Sequence, residues 1–164
     1  GLVGSEMCIR DRRESEEQQS EVSLVLPKVL RYLDYRIKKQ GIEYSQEIES
    51  ELMLPVAPHD LEELFLNIML NAVQAMESGG QLKVMAHKSE SQVVITIEDT
   101  GPGIPEDNID DVFKLFYTTK DADEGTGLGM WMSYELVKKH KGEIFITSQV
   151  GSGTRVSMFL PEAR

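Results

Sequence analysis

The sequence predicts an α/β fold, a two-layer sandwich in which a mixed, mainly antiparallel sheet is covered by helices on one face. Three observations lead there. Apolar residues recur at helical spacing in three stretches, and shorter runs between them alternate as strands do. Several of the strand-like runs come in pairs joined by short turns, which is how hairpins read. The chain has 164 residues, about one domain, and helices and hairpins sharing one domain bury their apolar faces by packing helices onto a sheet.

Gly1–Arg12 stands outside this pattern. GLVGSEMCIRDR has no periodicity and no leading methionine, resembles translated adapter sequence, and is read as an artefact or a disordered leader. Residues 13–21 are read as a linker remnant and 22–164 as the folded domain. A first helix is expected from about Glu14 to Gln40, where Val25, Val29, Leu33 and Ile37 recur every four residues. Pro27 falls near its start, where a missing N–H is tolerated, and Gly41 ends it. Short strands follow at Ile42–Ile48 and Leu52–Val56. The strongest helix runs from about His59 to Ser78, with Asp60 suited to its positive end and Gly79-Gly80 as its stop.

Leu82–His87 and Gln92–Asp99 form a hairpin through a Ser-rich turn. From Thr100 to about Gly125 the chain is rich in Pro, Gly and carboxylates. A loop of that length is unusual in a compact domain unless it acts as a lid. A third helix spans Gly127–His140 and closes at Gly142. Glu143–Gln149 and Thr154–Leu160 then pair across Gly151-Ser152-Gly153.

Charge narrows the function. There are 28 acidic and 17 basic residues, a formal net charge of −11. That disfavours non-specific binding to nucleic acid or to anionic membrane, both of which need clustered Lys and Arg. It leaves room for a small polyanion held by backbone N–H groups and a divalent cation. The only cysteine is Cys8, so there is neither a disulfide framework nor a cysteine metal cluster. The longest apolar run, near Leu64–Leu70, is broken by Asn67 and falls far short of the ~20 residues of a membrane span. A cytosolic location is the expectation.

Three constellations carry the chemistry. On the second helix Glu63, Asn67, Asn71 and Gln74 lie at spacings that make one stripe, set among Leu61, Leu64, Phe65, Ile68, Ala72 and Ala75. Either this is a solvated edge or it is a row of hard oxygen ligands facing a cleft. At the end of a strand, Asp99 shares a face with Val93, Ile95 and Ile97, so its carboxylate points under the helices. No donor for it is evident nearby in sequence, and a ligand amino group would satisfy it. Gly101 and Gly103 would let a flat ligand approach the backbone. Finally, Gly125-Thr126-Gly127-Leu128-Gly129 opens a helix whose N–H groups could cradle phosphate. It ends in no Gly-Lys-Ser/Thr and follows no strand, so it is neither a P-loop nor a dinucleotide-binding turn.

In order and spacing, HDLEELFLNIMLNAVQAM, EDTGPGIP, VFKLFYTTK and EGTGLGMWM resemble the N, G1, F and G2 boxes of the ATP-binding domain of sensor histidine kinases. This is the Bergerat fold of the GHKL superfamily, shared with gyrase and mismatch-repair ATPases. VKKHKGEIFITSQVGSGTRVSMFLP is similar to that family's closing helix and hairpin, and NAVQAM and FYTTK are most like its nitrogen-regulation type. The resemblance spans about Val22 to Pro161.

It implies ATP and Mg²⁺ as ligands. Asn71 would coordinate the metal, with Asn67 and Glu63 alongside. Asp99 would accept from the adenine amino group, with Gly101 and Gly103 shaping the base pocket, and Ile104 and Thr154 are further nucleotide-binding candidates. Phe113 and Phe116 would anchor the lid. Thr118, Thr119 and Lys120 would lie near the triphosphate, and Gly125, Thr126, Gly127, Leu128 and Gly129 would line it. Hydrolytic relatives carry a glutamate where Asn67 stands, and an amide is no general base, which favours phosphoryl transfer. Glu63, one turn earlier, could polarise a nucleophile, so Glu63, Asn67 and Lys120 are the catalytic candidates.

The acceptor histidine of this family lies in a separate dimerisation domain. His59, His87 and His140 are in no such context, so the implied partners are that domain and a downstream response regulator. Full-length relatives dimerise through the same domain. A stand-alone anti-sigma-type serine kinase and a nucleotide-binding scaffold without transfer activity are the alternatives. The lid acids Asp107, Asp110, Asp111, Asp121, Asp123 and Glu124 would make affinity depend on Mg²⁺ if they crowd the phosphates.

Overall fold

A computed structural model describes residues 18–113 and 129–163. The chain runs β1 (Ser20–Glu21), α1 (Val22–Gln40), β2 (Ile42–Ile48), β3 (Met53–Leu54), α2 (Pro58–Ala75), β4 (Gly80–Ser89) and β5 (Gln92–Asp99). A one-turn α3 (Glu106–Ile109), α4 (Gly129–Lys139), β6 (Glu143–Gln149) and β7 (Gly153–Pro161) complete it. The main sheet has the order β2-β4-β5-β7-β6. Its β2–β4 pair is parallel and the other three pairs are antiparallel, as the mixed, mainly antiparallel expectation required.

The expected hairpins form as β4–β5 and β6–β7, and the strands of the parallel β2–β4 pair are joined by a crossover that contains α2. Leu82, Val84 and Ala86, Val93, Ile95 and Ile97, and Val156, Met158 and Leu160 point to the same face. There they form one core with Val25, Leu33, Leu64, Phe65, Ile68 and Val137 from the helices. The opposite face carries ion pairs such as Lys83–Glu47 and Arg155–Glu98.

Boundaries differ from expectation most in three places, and α2 ends at Ala75 where Ser78 was expected. The first helix starts at Val22, not near Glu14, because Ser20 and Glu21 pair with Leu54 and Met53. The Ser20 hydroxyl donates to the Val56 carbonyl, and the Val22 N–H bonds the Leu52 carbonyl at 3.0 Å. Pro27 is the sixth residue of α1, on its exposed side. The strand expected at Leu52–Val56 shrinks to two residues in this side ribbon and does not join the main sheet. The long loop carries a helical turn at Glu106–Ile109, whose first-turn acids suit its positive end.

Helix α2 is the element that positions the site. Pro58 pre-sets its first turn, and its buried residues Leu61, Leu64, Phe65, Ile68, Met69, Ala72 and Val73 fix its rotation. Its end at Ala75 is held from α1. The Gln40 side-chain amide donates to the carbonyls of Val73 at 2.7 Å and Met76 at 3.0 Å, which also accept the backbone N–H groups of Met76 and Gly79.

Candidate functional site

The site is built from a row of residues across the sheet and a stripe along α2. By strand register Tyr44, Leu82, Asp99, Thr154 and Ser148 stand side by side, one per strand. Their side chains share the helix-covered face, which places Asp99 as the alternation of β5 predicts. The expectation that its carboxylate lacks a donor is corrected. Oδ1 accepts the Gly101 N–H at 2.9 Å, and a backbone hydrogen bond from Thr154 reaches the same carboxylate. Sequence distance hid the second donor, because Thr154 is brought alongside only by sheet pairing. Burial raises the Asp99 pKa, and the two backbone bonds partly oppose that rise. A carboxylate has about four lone-pair positions, so capacity for a ligand donor remains.

The turn after Asp99 is clamped on both sides. Gly101 is buried, and a Cβ there would sit 3.0 Å from Asp99 Oδ1 and 3.4 Å from the Ala75 Cβ, so the turn lies flush against the end of α2. Gly103 has φ +78°, and a Cβ there would come within 2.3 Å of the Gln149 carbonyl oxygen. Only glycine satisfies both demands. The Ile104 N–H donates to Ser148 Oγ at 2.7 Å, and the Gly151 N–H to the Pro102 carbonyl at 2.9 Å. The β6–β7 hairpin thus holds the loop at its root.

Glu63, Asn67, Asn71 and Gln74 are half-buried along one stripe of α2. The start of α4 meets that stripe: a Cβ on Gly129 would be 3.8 Å from Asn71 Nδ2 and 3.9 Å from Asn67 Cβ. Asn71 and Gln74 already take part in polar interactions. Phe113 packs on the core and its ring lies 5.4 Å from that of Tyr134 on α4.

Of the sequence-predicted residues, the fold brings together Asp99, Gly101, Gly103, Ile104 and Thr154 at one end of α2. It brings Asn67, Asn71 and Gly129 together further up, with Glu63 one turn beyond. The two groups are joined by the helix, and the eight residues from Asn67 to Ala75 rise ~12 Å. Phe116, Thr118, Thr119, Lys120, Gly125, Thr126, Gly127 and Leu128 lie outside the described residues. Sequence reasoning missed Ser148 and Ala75. Ser148 was detectable as a hydroxyl at an inward position of Ile144-x-Ile146-x-Ser148, opposite Thr154 across a tight hairpin.

Among the described residues no three His, Cys, Asp or Glu side chains converge as a metal site. A cation here would rest on amide oxygens and on ligand phosphates, a donor set that suits Mg²⁺. At this edge of the sheet a concavity of about 720 Å³ is lined by Asp99, Thr100, Ser148 and Thr154 together with Lys83 and Arg155. It reaches the Asp99 end of the site, and no asparagine of α2 lines it. No described helix is long and apolar enough to cross a membrane.

A carboxylate beside a glycine turn, a stripe of amides and a helix start packed on it are the parts that the sequence resemblance expects of an ATP-binding domain of the histidine-kinase type. Residues 56–164 match the histidine kinase-, DNA gyrase B- and HSP90-like ATPases, and the chain belongs to that family. Sporulation kinase E of Bacillus subtilis (strain 168) is 38% identical over 105 residues, 63% of this chain and 14% of its own length. The signal transduction histidine-protein kinase AtoS of Escherichia coli (strain K12) is 32% identical over 151 residues, 91% of this chain and 24% of its own length. The nucleotide-free catalytic domain of histidine kinase ThkA shares the fold, with a TM-score of 0.79 at 22% identity over 88% of this chain and 95% of that one. The chain therefore spans a quarter or less of these two curated relatives. The family match over residues 56–164 establishes the family, and these relatives do not single out its nitrogen-regulation type.

Proposed function

We propose that this domain binds Mg²⁺-ATP and passes the γ-phosphoryl group to a histidine on a neighbouring dimerisation domain, within two-component signalling. The observation that carries this reading is the convergence along α2. Gly101, bonded to Asp99, abuts Ala75 at the C-terminal end, and Gly129 lies against Asn71 and Asn67 one and two turns earlier. An elongated ligand with an amino-bearing base and a polyphosphate fits that polarity. The half-buried Asp99 carboxylate accepts from the base. The N–H groups at the start of α4 face the negative charge, where a helix end favours it. Mg²⁺, when bound, neutralises phosphate charge, and the Asn71 amide oxygen would hold it, with Asn67 and Glu63 beside it.

In the transfer itself the acceptor imidazole nitrogen forms the new N–P bond as the bond between the γ-phosphorus and the bridging oxygen breaks, and ADP leaves with the electron pair. Asn67 takes no proton, so the site does not activate water through that residue. Glu63 lies one turn away, where it would orient the acceptor ring. Positioning and charge neutralisation carry the remaining barrier reduction. Lys120, with Thr118 and Thr119, would add to that neutralisation from the lid. The response regulator would then take the phosphoryl group from the histidine, with the domain on the cytosolic side.

The test is to mix the domain with a separately produced acceptor hairpin and γ-labelled ATP. Acid-labile label on histidine is the expected result. Label on serine would favour the stand-alone serine kinase. ATP binding without label at high hairpin concentration would favour a scaffold.

A further inference from the structure

We infer that Ser148 is a specificity-determining positioning residue: it fixes the Thr154 hydroxyl as an acceptor, so that the base pocket presents acceptors only. The inference rests on the nucleotide-binding reading and goes beyond it.

Ser148 Oγ makes three contacts. It accepts the Ile104 N–H at 2.7 Å, lies 2.9 Å from the Gly153 carbonyl oxygen, and lies 2.9 Å from Thr154 Oγ1. A hydroxyl has one hydrogen and two lone pairs. The Gly153 carbonyl has no hydrogen to give, so across that contact only Ser148 donates. Its hydrogen is then spent, and the contact with Thr154 is a hydrogen bond only if Thr154 donates. All three capacities of Ser148 are used, and the Thr154 hydroxyl is left with lone pairs and no free proton.

Thr154 is the register partner of Asp99 and shares its face of the sheet. Cross-strand partners have Cβ atoms about 4.5–5.5 Å apart, so the hydroxyl stands beside the carboxylate. Both groups then accept. An amino-bearing base edge donates to them, whereas a keto edge would set its oxygen against two acceptors. Without the Ser148 oxygen, the Thr154 hydroxyl is free to rotate and donate to a keto oxygen. Buried polar groups that match or mismatch a ligand edge set discrimination more strongly than shape does.

The experiment is displacement of a trinitrophenyl-ATP analogue by ATP and by GTP, at fixed Mg²⁺, on the whole chain. Ser148→Ala is expected to lower the ATP-over-GTP preference about tenfold, chiefly by improving GTP. Ser148→Thr keeps the hydroxyl and the preference. Ser148→Cys fills the space with a weak hydrogen-bonding group and should follow Ser148→Ala, which covers a poorly folding alanine variant. Adding Thr154→Val to Ser148→Ala should abolish the gain in GTP binding. Equal losses for both nucleotides, or a GTP gain that survives Thr154→Val, overturn the role of Ser148 while leaving nucleotide binding intact. No displacement by ATP in the unaltered chain overturns the nucleotide reading and this inference with it.

Discussion

At the scale of single residues the site is a competition between burial and hydrogen bonding. Asp99 is held as an anion in a place that raises its pKa, chiefly through desolvation, against two backbone donors that lower it. For an acid with a raised folded pKa, the favourable contribution belongs to the protonated form. It is fully present below the unfolded value and is lost as pH rises through the folded value. At neutral pH the ionised Asp99 therefore costs stability in exchange for an acceptor. Asp99→Asn is expected to leave the melting temperature unchanged or higher while weakening ATP about 10- to 100-fold, the value of a hydrogen bond to a charged group. Thermal melting and a fluorescent-nucleotide titration read the two effects separately. ATP affinity should also fall on acidification at a higher pH than an exposed aspartate would impose. An affinity profile that is flat between pH 7 and the ordinary carboxylate range would contradict this assignment.

His140 shows the opposite balance at the end of the third long helix. Its pKa is lowered first by burial and then by Lys139, with Asp60 pulling the other way, and Nε2 is buried without a hydrogen-bond partner among the described groups. A lowered folded value means the contribution is present above the ordinary imidazole range and lost as pH falls through the lowered value. Chemical denaturation on acidification from pH 7 should show this loss, and His140→Gln should flatten it.

At the scale of elements, α2 links the two halves of the site, and its ends are fixed by different neighbours. The start is set by Pro58 and Asp60, within the helix's own sequence. The end is set by Gln40, which belongs to another helix. Gln40→Ala removes two hydrogen bonds and should cost about 1–2 kcal/mol in chemical denaturation. Because Ala75 packs on Gly101, nucleotide affinity should fall with it. The β6–β7 hairpin plays the same part for the loop, through Ser148 and Gly151. The start of α2 and the strands of both hairpins were legible as local patterns, whereas the end of that helix, expected at Ser78, falls at Ala75. The side ribbon of β1 and β3 was not, because two-residue strands have no periodicity to read.

At the scale of the whole molecule, a net charge of −11 must coexist with an anionic ligand. Backbone N–H groups and a helix end carry no formal charge that would disturb the rest of the chain, and no acidic metal cluster exists among the described residues. Removal of Mg²⁺ by chelation is therefore expected to weaken ATP strongly and to leave the melting temperature of the ligand-free domain unchanged. A drop in that temperature on chelation would point to a structural metal instead.

The sequence by itself determined the helices and hairpins, the face of β5 on which Asp99 lies, and the stripe on α2. Each of these is a periodicity of a few residues, written locally. Only the tertiary structure decided that Thr154 would supply a donor to Asp99, that Ser148 would bind both Thr154 and the root of the loop, and that Gly129 would rest on Asn67 and Asn71. Those contacts join residues 6 to 62 positions apart. They depend on strand register and on how helices seat against a shared core, for which no local pattern codes.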